Sequence, residues 1–360
     1  MPFQKRVHAL LRTMSSRKAD ALLLTHPLNV TYVTGFSGED SSLILTRNEV
    51  FLVTDGRYRE QAEHEAQWLR LVLRKGTMFR ALADLFAGLR LKRVIFEADH
   101  LTYGDFESLH HSSRTTLLPS HAVVEDLRAV KHPEEIRKIR KAVAIAEESL
   151  RAVKSRIRTG MRECDLAAML VYAMRQRGSQ KDPFDVIVAS GPRSSLPHAK
   201  TTTRKISKGD ILIVDWGAQY RGYCSDLTRT FFVGNIPYEA RHIYRTVLAA
   251  QTRAISEIRP GRGGKRIDGA ARAVVRKAGY GDNFMHGLGH GIGLAVHERP
   301  SLTPSTNTRI RTGTVFTVEP GIYIPGWGGI RIEDVVLATP RGAQKLSALP
   351  RTLASAAIAS

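Results

Sequence analysis

The stretch His286-Gly-Leu-Gly-His290-Gly-Ile-Gly-Leu-Ala-Val-His297-Glu sets three histidines in a glycine-rich run. Glycine lets a backbone bend closely round a bound group. Imidazole ligates divalent metals and carries protons near neutral pH. Two aspartates lie upstream, Asp215 in Ile211-Leu-Ile-Val-Asp215-Trp and Asp226 in Gly222-Tyr-Cys-Ser-Asp226-Leu-Thr-Arg-Thr. Two glutamates lie downstream, in Val318-Glu319-Pro-Gly and Arg331-Ile-Glu333-Asp. Four carboxylates and one imidazole make a donor set suited to a two-metal hydrolase. Two divalent cations and a hydroxide would bring their summed charge close to neutral, as a buried site requires. A single histidine among oxygens suits manganese, with cobalt or zinc also able to occupy such a site.

The elements that must position these residues are legible in the same segments. If Tyr220 and Arg221 form a hairpin turn, Asp215 lies directly opposite Asp226. Facing residues of an antiparallel pair sit about 4.5–5.5 Å apart at Cβ, and two carboxylates that close repel unless a cation lies between them. Thr314–Glu319 and Gly329–Leu337 read as a second pair of strands, with the loop Pro325–Gly329 between them. Glu319 and Glu333 are symmetric about Gly326 and would face each other. By two-residue alternation Arg331 shares the face of Glu333, where it could orient a carboxylate. His198 falls in the loop Ser190-Gly-Pro-Arg-Ser-Ser-Leu-Pro-His198.

The whole chain reads as an α/β (α+β) protein. Residues 1–124 alternate helical and extended runs: Phe3–Ser16 amphipathic, Ala21–Leu24 a strand, Ser42–Thr46 and Val50–Thr54 a hairpin, Arg57–Gln67 and Met78–Leu89 helices, and Arg93–Glu97 another strand. Together they predict a small α/β domain of mixed sheet. A polar segment near Val124–His132 marks a boundary, and Pro133 suits a helix first turn. Residues 125–350 then carry four helices, Glu134–Arg156, Cys164–Arg177, Tyr238–Glu257 and Arg266–Ala278, with strands between them. The small-residue tail, 351–360, reads as a frayed end.

Composition narrows the function classes. The 360 residues are 42% hydrophobic with a net charge of +20. No apolar run reaches the roughly 18 residues that a membrane span needs. The basic residues are spread along the chain without a nucleic-acid-binding motif, so they read as a solvated surface and no specific nucleic-acid partner is expected. Cys164 and Cys224 sit in segments of different type, which suggests buried thiols and a reducing cytoplasm.

The ordered set Asp215, Asp226, His290, Glu319 and Glu333 resembles the metal-ligand set of the metallopeptidase family that includes methionine aminopeptidase, aminopeptidase P and prolidase. The segments Phe184-Asp-Val-Ile-Val-Ala-Ser-Gly, Leu196-Pro-His198, His286–Pro300, Val318-Glu-Pro-Gly-Ile-Tyr-Ile-Pro and Gly329-Ile-Arg-Ile-Glu-Asp extend the likeness to the Xaa-Pro peptidase branch, and Asn29-Val-Thr-Tyr-Val-Thr-Gly-Phe and Thr54-Asp-Gly-Arg-Tyr extend it to the N-terminal domain. The resemblance implies a creatinase-like domain followed by a pita-bread catalytic domain. It implies that Asp226 and Glu333 bridge two metals, that Asp215 completes one and that His290 with Glu319 completes the other. His198, His297 and Glu319 would be catalytic, with Glu319 and His297 handling protons, while His198, His286, His297 and Arg331 would meet substrate. The expected activity is an Xaa-Pro aminopeptidase acting on proline-containing peptides as a homodimer. An Xaa-Pro dipeptidase is the alternative, and a creatinase-like C–N hydrolase or a non-catalytic binding protein is more remote. An aminopeptidase and a dipeptidase differ in whether a cation caps the pocket; Arg309 and Arg311 are candidates that the sequence does not place.

Overall fold

The computed structural model describes residues 2–358. The chain divides into two compact units, residues 1–128 and 129–360. Ala21-Leu-Leu-Leu24 has no polar face, as suits a strand covered on both sides. It forms the fourth strand of a six-stranded sheet, ordered Arg70–Leu73, Val50–Thr54, Ser41–Thr46, Ala21–Leu24, Arg93–Glu97 and Thr116–Ser120. Ser41–Thr46 is antiparallel to both neighbours and the other pairings are parallel. Leu82, Ala83 and Phe86 of helix Met78–Gly88 pack with Leu109 against Leu23, Ile44, Phe51, Val94 and Phe96. The helix expected over Arg57–Gln67 divides into a 3-10 turn, Gly56–Tyr58, and a helix, Arg59–Glu65. Asp55 starts that turn by accepting from the Arg57 amide. Strands Arg70–Leu73 and Thr116–Ser120 lie at the two edges of the sheet and carry half-exposed residues, which is why their pattern escapes a periodicity reading.

The second unit begins with helix Pro133–Lys154, whose first turn is closed by the Glu135 carboxylate on the His132 amide at 2.8 Å. Its buried stripe, Ile139, Ala142, Val143, Ala146 and Leu150, recurs at helical spacing. Trp216 donates its indole N–H to the Ala146 carbonyl at 2.8 Å and so ties this helix to a sheet. That sheet runs Ala357–Ile358, Leu227–Val233, Ile211–Trp216 and Ile187–Ser190. A second sheet runs Glu298–Leu302, Gly289–Gly291, Val315–Val318, Asp334–Thr339 and Gly342–Lys345. Helices Tyr238–Glu257 and Gly264–Lys277 supply Ile243, Tyr244, Val247, Ile267 and Ala271 to one core with Phe232, Phe316, Val318, Ile332 and Val336. No helix among the described residues is long and apolar enough to cross a membrane.

Two registers decide where the carboxylates go. In the first hairpin the turn is Arg221-Gly222, both with positive φ (45° and 80°), rather than Tyr220-Arg221. Tyr220 pairs with Tyr223, and Asp215 therefore faces Thr228 instead of Asp226. Asp226 stands just ahead of the strand that contains Thr228. In the second hairpin the expected symmetry about Gly326 holds along its whole length, from Val315 opposite Leu337 to Ile324 opposite Gly328. The ladder is interrupted in the middle. One part ends at Val318 opposite Asp334 and the next starts at Gly321 opposite Arg331. Glu319, Pro320, Ile332 and Glu333 occupy the gap.

The end of the chain is not frayed over the described residues. Ala354–Ala356 forms a 3-10 turn, and Ala357–Ile358 adds a parallel edge strand to Leu227–Val233. Ala356 and Ile358 are only 2% and 6% exposed, so small residues here serve close packing. The last two residues lie outside the described residues. Truncation after Leu353, which spares Arg351, should cost about 2 kcal/mol from lost apolar burial, lowering Tm by roughly 4–8 °C. Thermal denaturation of the shortened chain checks this, and an unchanged Tm would contradict it.

Candidate metal centre and active site

Asp215, Asp226, His290, Glu319, Glu333, His198, His286, His297 and Arg331 all line one cavity of about 840 Å³. Arg309 and Arg311 do not line it, and Arg309 donates instead to the Gly261 carbonyl. The ladder gap supplies both glutamates. The Glu319 amide donates to Leu288 O at 2.8 Å, continuing the pairing of Val315–Val318 with Gly289–Gly291, and the Glu333 amide donates to Thr228 O at 3.1 Å. These bonds draw the glutamates toward the His290 segment and the Asp226 strand. Gly289 allows the first approach, because a Cβ there would stand 2.1 Å from the Thr317 carbonyl oxygen.

His290 has a defined orientation. Its Nδ1 lies 3.1 Å from Gly291 O, an acceptor, so Nδ1 carries the proton. Nε2 then faces Glu319 Oε1 at 3.3 Å and Asp226 Oδ2 at 3.6 Å. Thr317 Oγ1 donates to Glu319 Oε1 at 2.9 Å, and Thr228 Oγ1 donates to Glu333 Oε2 at 2.7 Å. Arg331 lies behind two of the carboxylates. Its guanidinium meets Asp215 Oδ2 at 2.6 Å and Thr228 Oγ1 at 3.0 Å, so it holds Asp215 directly and Glu333 through the threonine.

Arg331 also donates to the Tyr323 hydroxyl at 2.8 Å. Since arginine has no acceptor, the Tyr323 proton is free for His286 Nε2 at 3.0 Å, and His286 Nδ1–H goes to Gly287 O at 2.8 Å. His286 is thereby a neutral imidazole, and burial pushes its pKa down to the same effect. Tyr323 is a positioning residue that sequence reading left without a role, although it lies within a segment that carries the resemblance. His297 is exposed, with its ring 4.1 Å from that of His290. A Lys131–Glu298 ion pair at 3.0 Å, almost wholly buried, holds its neighbour.

The electrostatics call for cations. Burial, then the charges of Glu333, Asp215 and Glu319, push the Asp226 carboxyl well up. Burial, then Glu319 and Asp215, does the same to Glu333. Burial raises Asp215 too, against the pull of Arg331. Burial also acts on Glu319, but a hydrogen bond from His290 in its imidazolium form, whose Nε2 proton a metal would displace, and the nearby positive groups outweigh it and bring that carboxyl down to about 2. One ligand atom each from Asp226, His290 and Glu333 lies within 4.8 Å of the others, and Asp215 Oδ1 and Asp226 Oδ1 are buried without a hydrogen-bond partner. Crowded anionic oxygens with unused lone pairs fit divalent metal ions.

The Arg331–Asp215 pair makes this electrostatic balance testable. In chelator-treated protein, Arg331→Leu should cost about 3–5 kcal/mol, the penalty of a buried charge left alone. Adding Asp215→Asn should recover most of that loss. Chemical denaturation of both variants checks this, and equal stability of the single and double variants would contradict it.

Comparison with known proteins agrees with this geometry. Residues 137–340 match metallopeptidase family M24, and residues 6–130 match the creatinase/prolidase N-terminal domain. The chain is 37% identical to an Xaa-Pro dipeptidase of Pyrococcus furiosus, over 97% of this chain and 99% of that one. It superposes with a TM-score of 0.95 on an Xaa-Pro dipeptidase from Bacillus anthracis, at 35% identity over 98% and 99% of the two chains. An X-Pro aminopeptidase from Thermotoga maritima gives a TM-score of 0.91, also at 35% identity over 98% and 99%. The fold is thus a creatinase-type N-terminal domain followed by a pita-bread catalytic domain. The chain belongs to metallopeptidase family M24 and is a peptide-bond hydrolase.

Proposed function

We propose that this protein is a metal-dependent Xaa-Pro dipeptidase of the prolidase type. The observation that carries the proposal is the polarity of one cavity. The four carboxylates line it, whereas His198, Lys200 and His286 are shared with an adjoining hollow of about 530 Å³ that has Arg193 and no acidic residue in its lining. A dipeptide has matching polarity, with an ammonium at one end and a carboxylate at the other. Arg331 is committed to Asp215, Thr228, Tyr323 and the Pro197 carbonyl. Lys200 is exposed and has no ion pair among the described residues, so it is the cation left to meet a substrate carboxylate. The names of the Pyrococcus and Bacillus relatives support this reading over an aminopeptidase. The Thermotoga relative, with the exposed Leu196 and Met285 beside the second hollow, favours Xaa-Pro aminopeptidase as a second reading.

Asp226 and Glu333 would be shared between two ions, with Asp215 completing one and His290 and Glu319 the other. We propose Mn²⁺ for an oxygen-rich set with one imidazole, Co²⁺ or Zn²⁺ being able to replace it. When bound, such a pair lowers the pKa of water and polarises the scissile carbonyl. Glu319, kept ionised by its surroundings, accepts the proton of the attacking water. His297 delivers a proton to the leaving nitrogen. That nitrogen is tertiary and has no N–H to recognise, so His198 and His286 hold the substrate by the shape of the proline ring, and Lys200 meets its carboxylate. A homodimer and a cytoplasmic location belong to the same proposal.

Asp226→Asn and Glu333→Gln should each lower kcat by at least about a thousandfold, since each replaces an anionic oxygen that would hold metal with a neutral amide nitrogen. The circular dichroism of both variants should stay native. Chelation should abolish turnover and Mn²⁺ should restore it, so activity that survives exhaustive chelation would defeat the proposal. Rates on Gly-Pro, Gly-Pro-Pro and Gly-Ala separate the two readings. Turnover of Gly-Pro alone is expected, and efficient cleavage of Gly-Pro-Pro would transfer the assignment to the aminopeptidase.

A further inference from the structure

Gln251 lies outside the cavity, on helix Tyr238–Glu257, and is fully buried. A buried primary amide must find partners for two donors and an acceptor. Gln251 finds all of them at one place. Its Nε2 donates to Val318 O at 3.0 Å and to Ile332 O at 3.1 Å. Arg351 NH1 donates to its Oε1 at 2.7 Å. Arginine can only donate, so Arg351 fixes which end of the amide is oxygen and turns the NH₂ group toward the two carbonyls.

Those carbonyls belong to the residues immediately before Glu319 and Glu333. They sit where the hairpin ladder is interrupted, between the Val318–Asp334 pair and the Gly321–Arg331 pair. A single side chain therefore bridges the two strands across the gap from which both glutamates project. Each of its hydrogen bonds fixes the peptide plane that leads into one glutamate. The anchor behind it is firm. Arg351 also meets Asp334 Oδ2 at 3.4 Å, and Asp334 accepts from Arg229 at 2.8 Å and from Ser347 at 2.7 Å. Arg229 returns to the gap by donating to Thr228 O at 2.9 Å and to the Glu333 carbonyl.

We infer that Gln251, oriented by Arg351, is a positioning residue that sets the separation and direction of Glu319 and Glu333 and thereby the affinity of the site for divalent metal. The inference rests on the metal-site reading given above. It makes a residue of the C-terminal segment, remote from the cavity lining, a determinant of metal binding. Pro320 has no N–H to offer the Ile332 carbonyl, so the amide of Gln251 supplies the donor that is missing between the strands at this point.

The test uses the full chain and measures Mn²⁺ affinity by chelator competition, together with Tm, kcat and KM on Ala-Pro. Gln251→Leu keeps the volume and removes all three bonds. Arg351→Met removes the orienting donor and leaves Asp334 its bonds from Arg229 and Ser347, so it carries the test should Gln251→Leu fail to fold. Both should weaken Mn²⁺ binding by roughly tenfold or more, the scale seen when groups behind metal ligands are lost. In both, kcat should fall and KM should stay within about twofold. Arg351→Lys should restore most of the affinity. Val247→Ala, one turn away on the same helix and equally buried, should lower Tm but leave Mn²⁺ affinity unchanged. Loss of Tm without loss of affinity in both Gln251→Leu and Arg351→Met would overturn the inference and leave the metal site standing. A wild-type chain that binds no Mn²⁺ would overturn both.

Discussion

Mutual repulsion among four buried carboxylates is the constraint on which the rest of this structure depends. Desolvation alone makes one ionised carboxyl costly in a protein interior, and four beside one another compound the cost. Asp226 and Glu333 are driven toward their neutral forms, while Glu319 is held ionised beside His290. Such an arrangement persists only if the backbone that carries it cannot relax. Arg331, wholly committed to polar partners, is one restraint; the ladder that opens between Val318 and Gly321 and is bridged from behind is another.

The same economy of placement extends to the histidines around the cavity. His290 and His286 each give Nδ1–H to the carbonyl of the following glycine, which leaves Nε2 of both to face inward. The Lys131–Glu298 pair, with side chains 1% and 5% exposed, anchors the residue after His297. Glu163 does similar work for the loop that carries His198, accepting from the amides and hydroxyls of Ser190 and Thr202. Rigid supports thus lie one residue or one hydrogen bond away from the cavity wall, as a preorganised site demands.

Much of this was legible in the sequence, and the exceptions have physical reasons. The register of the second hairpin follows from a turn centred on Gly326, where glycine marks the position. The first hairpin turns one residue later than its sequence suggests, because the turn places Arg221, an unlikely residue for positive φ, ahead of Gly222. The helices over Pro133–Lys154 and Tyr238–Glu257 announced themselves by long apolar stripes, whereas half-exposed edge strands did not. The nine site residues could be named because their types are chemically conspicuous. Gln251, Tyr323, Lys131 and Glu163 could not, since their significance lies in partners 67, 8, 167 and 27 positions away in the chain.

Pro320 gives the interrupted ladder a property of its own. Proline brings no amide hydrogen, so the strand has no donor to offer at the residue after Glu319. The Pro320–Ile332 pair therefore makes one cross-strand bond, from Ile332 N–H to Pro320 O at 3.4 Å, and cannot make the other, whatever the cavity holds. A seam that is only half stitched at this point is written into the covalent chain, so the irregular backbone beside both glutamates is set by the sequence itself.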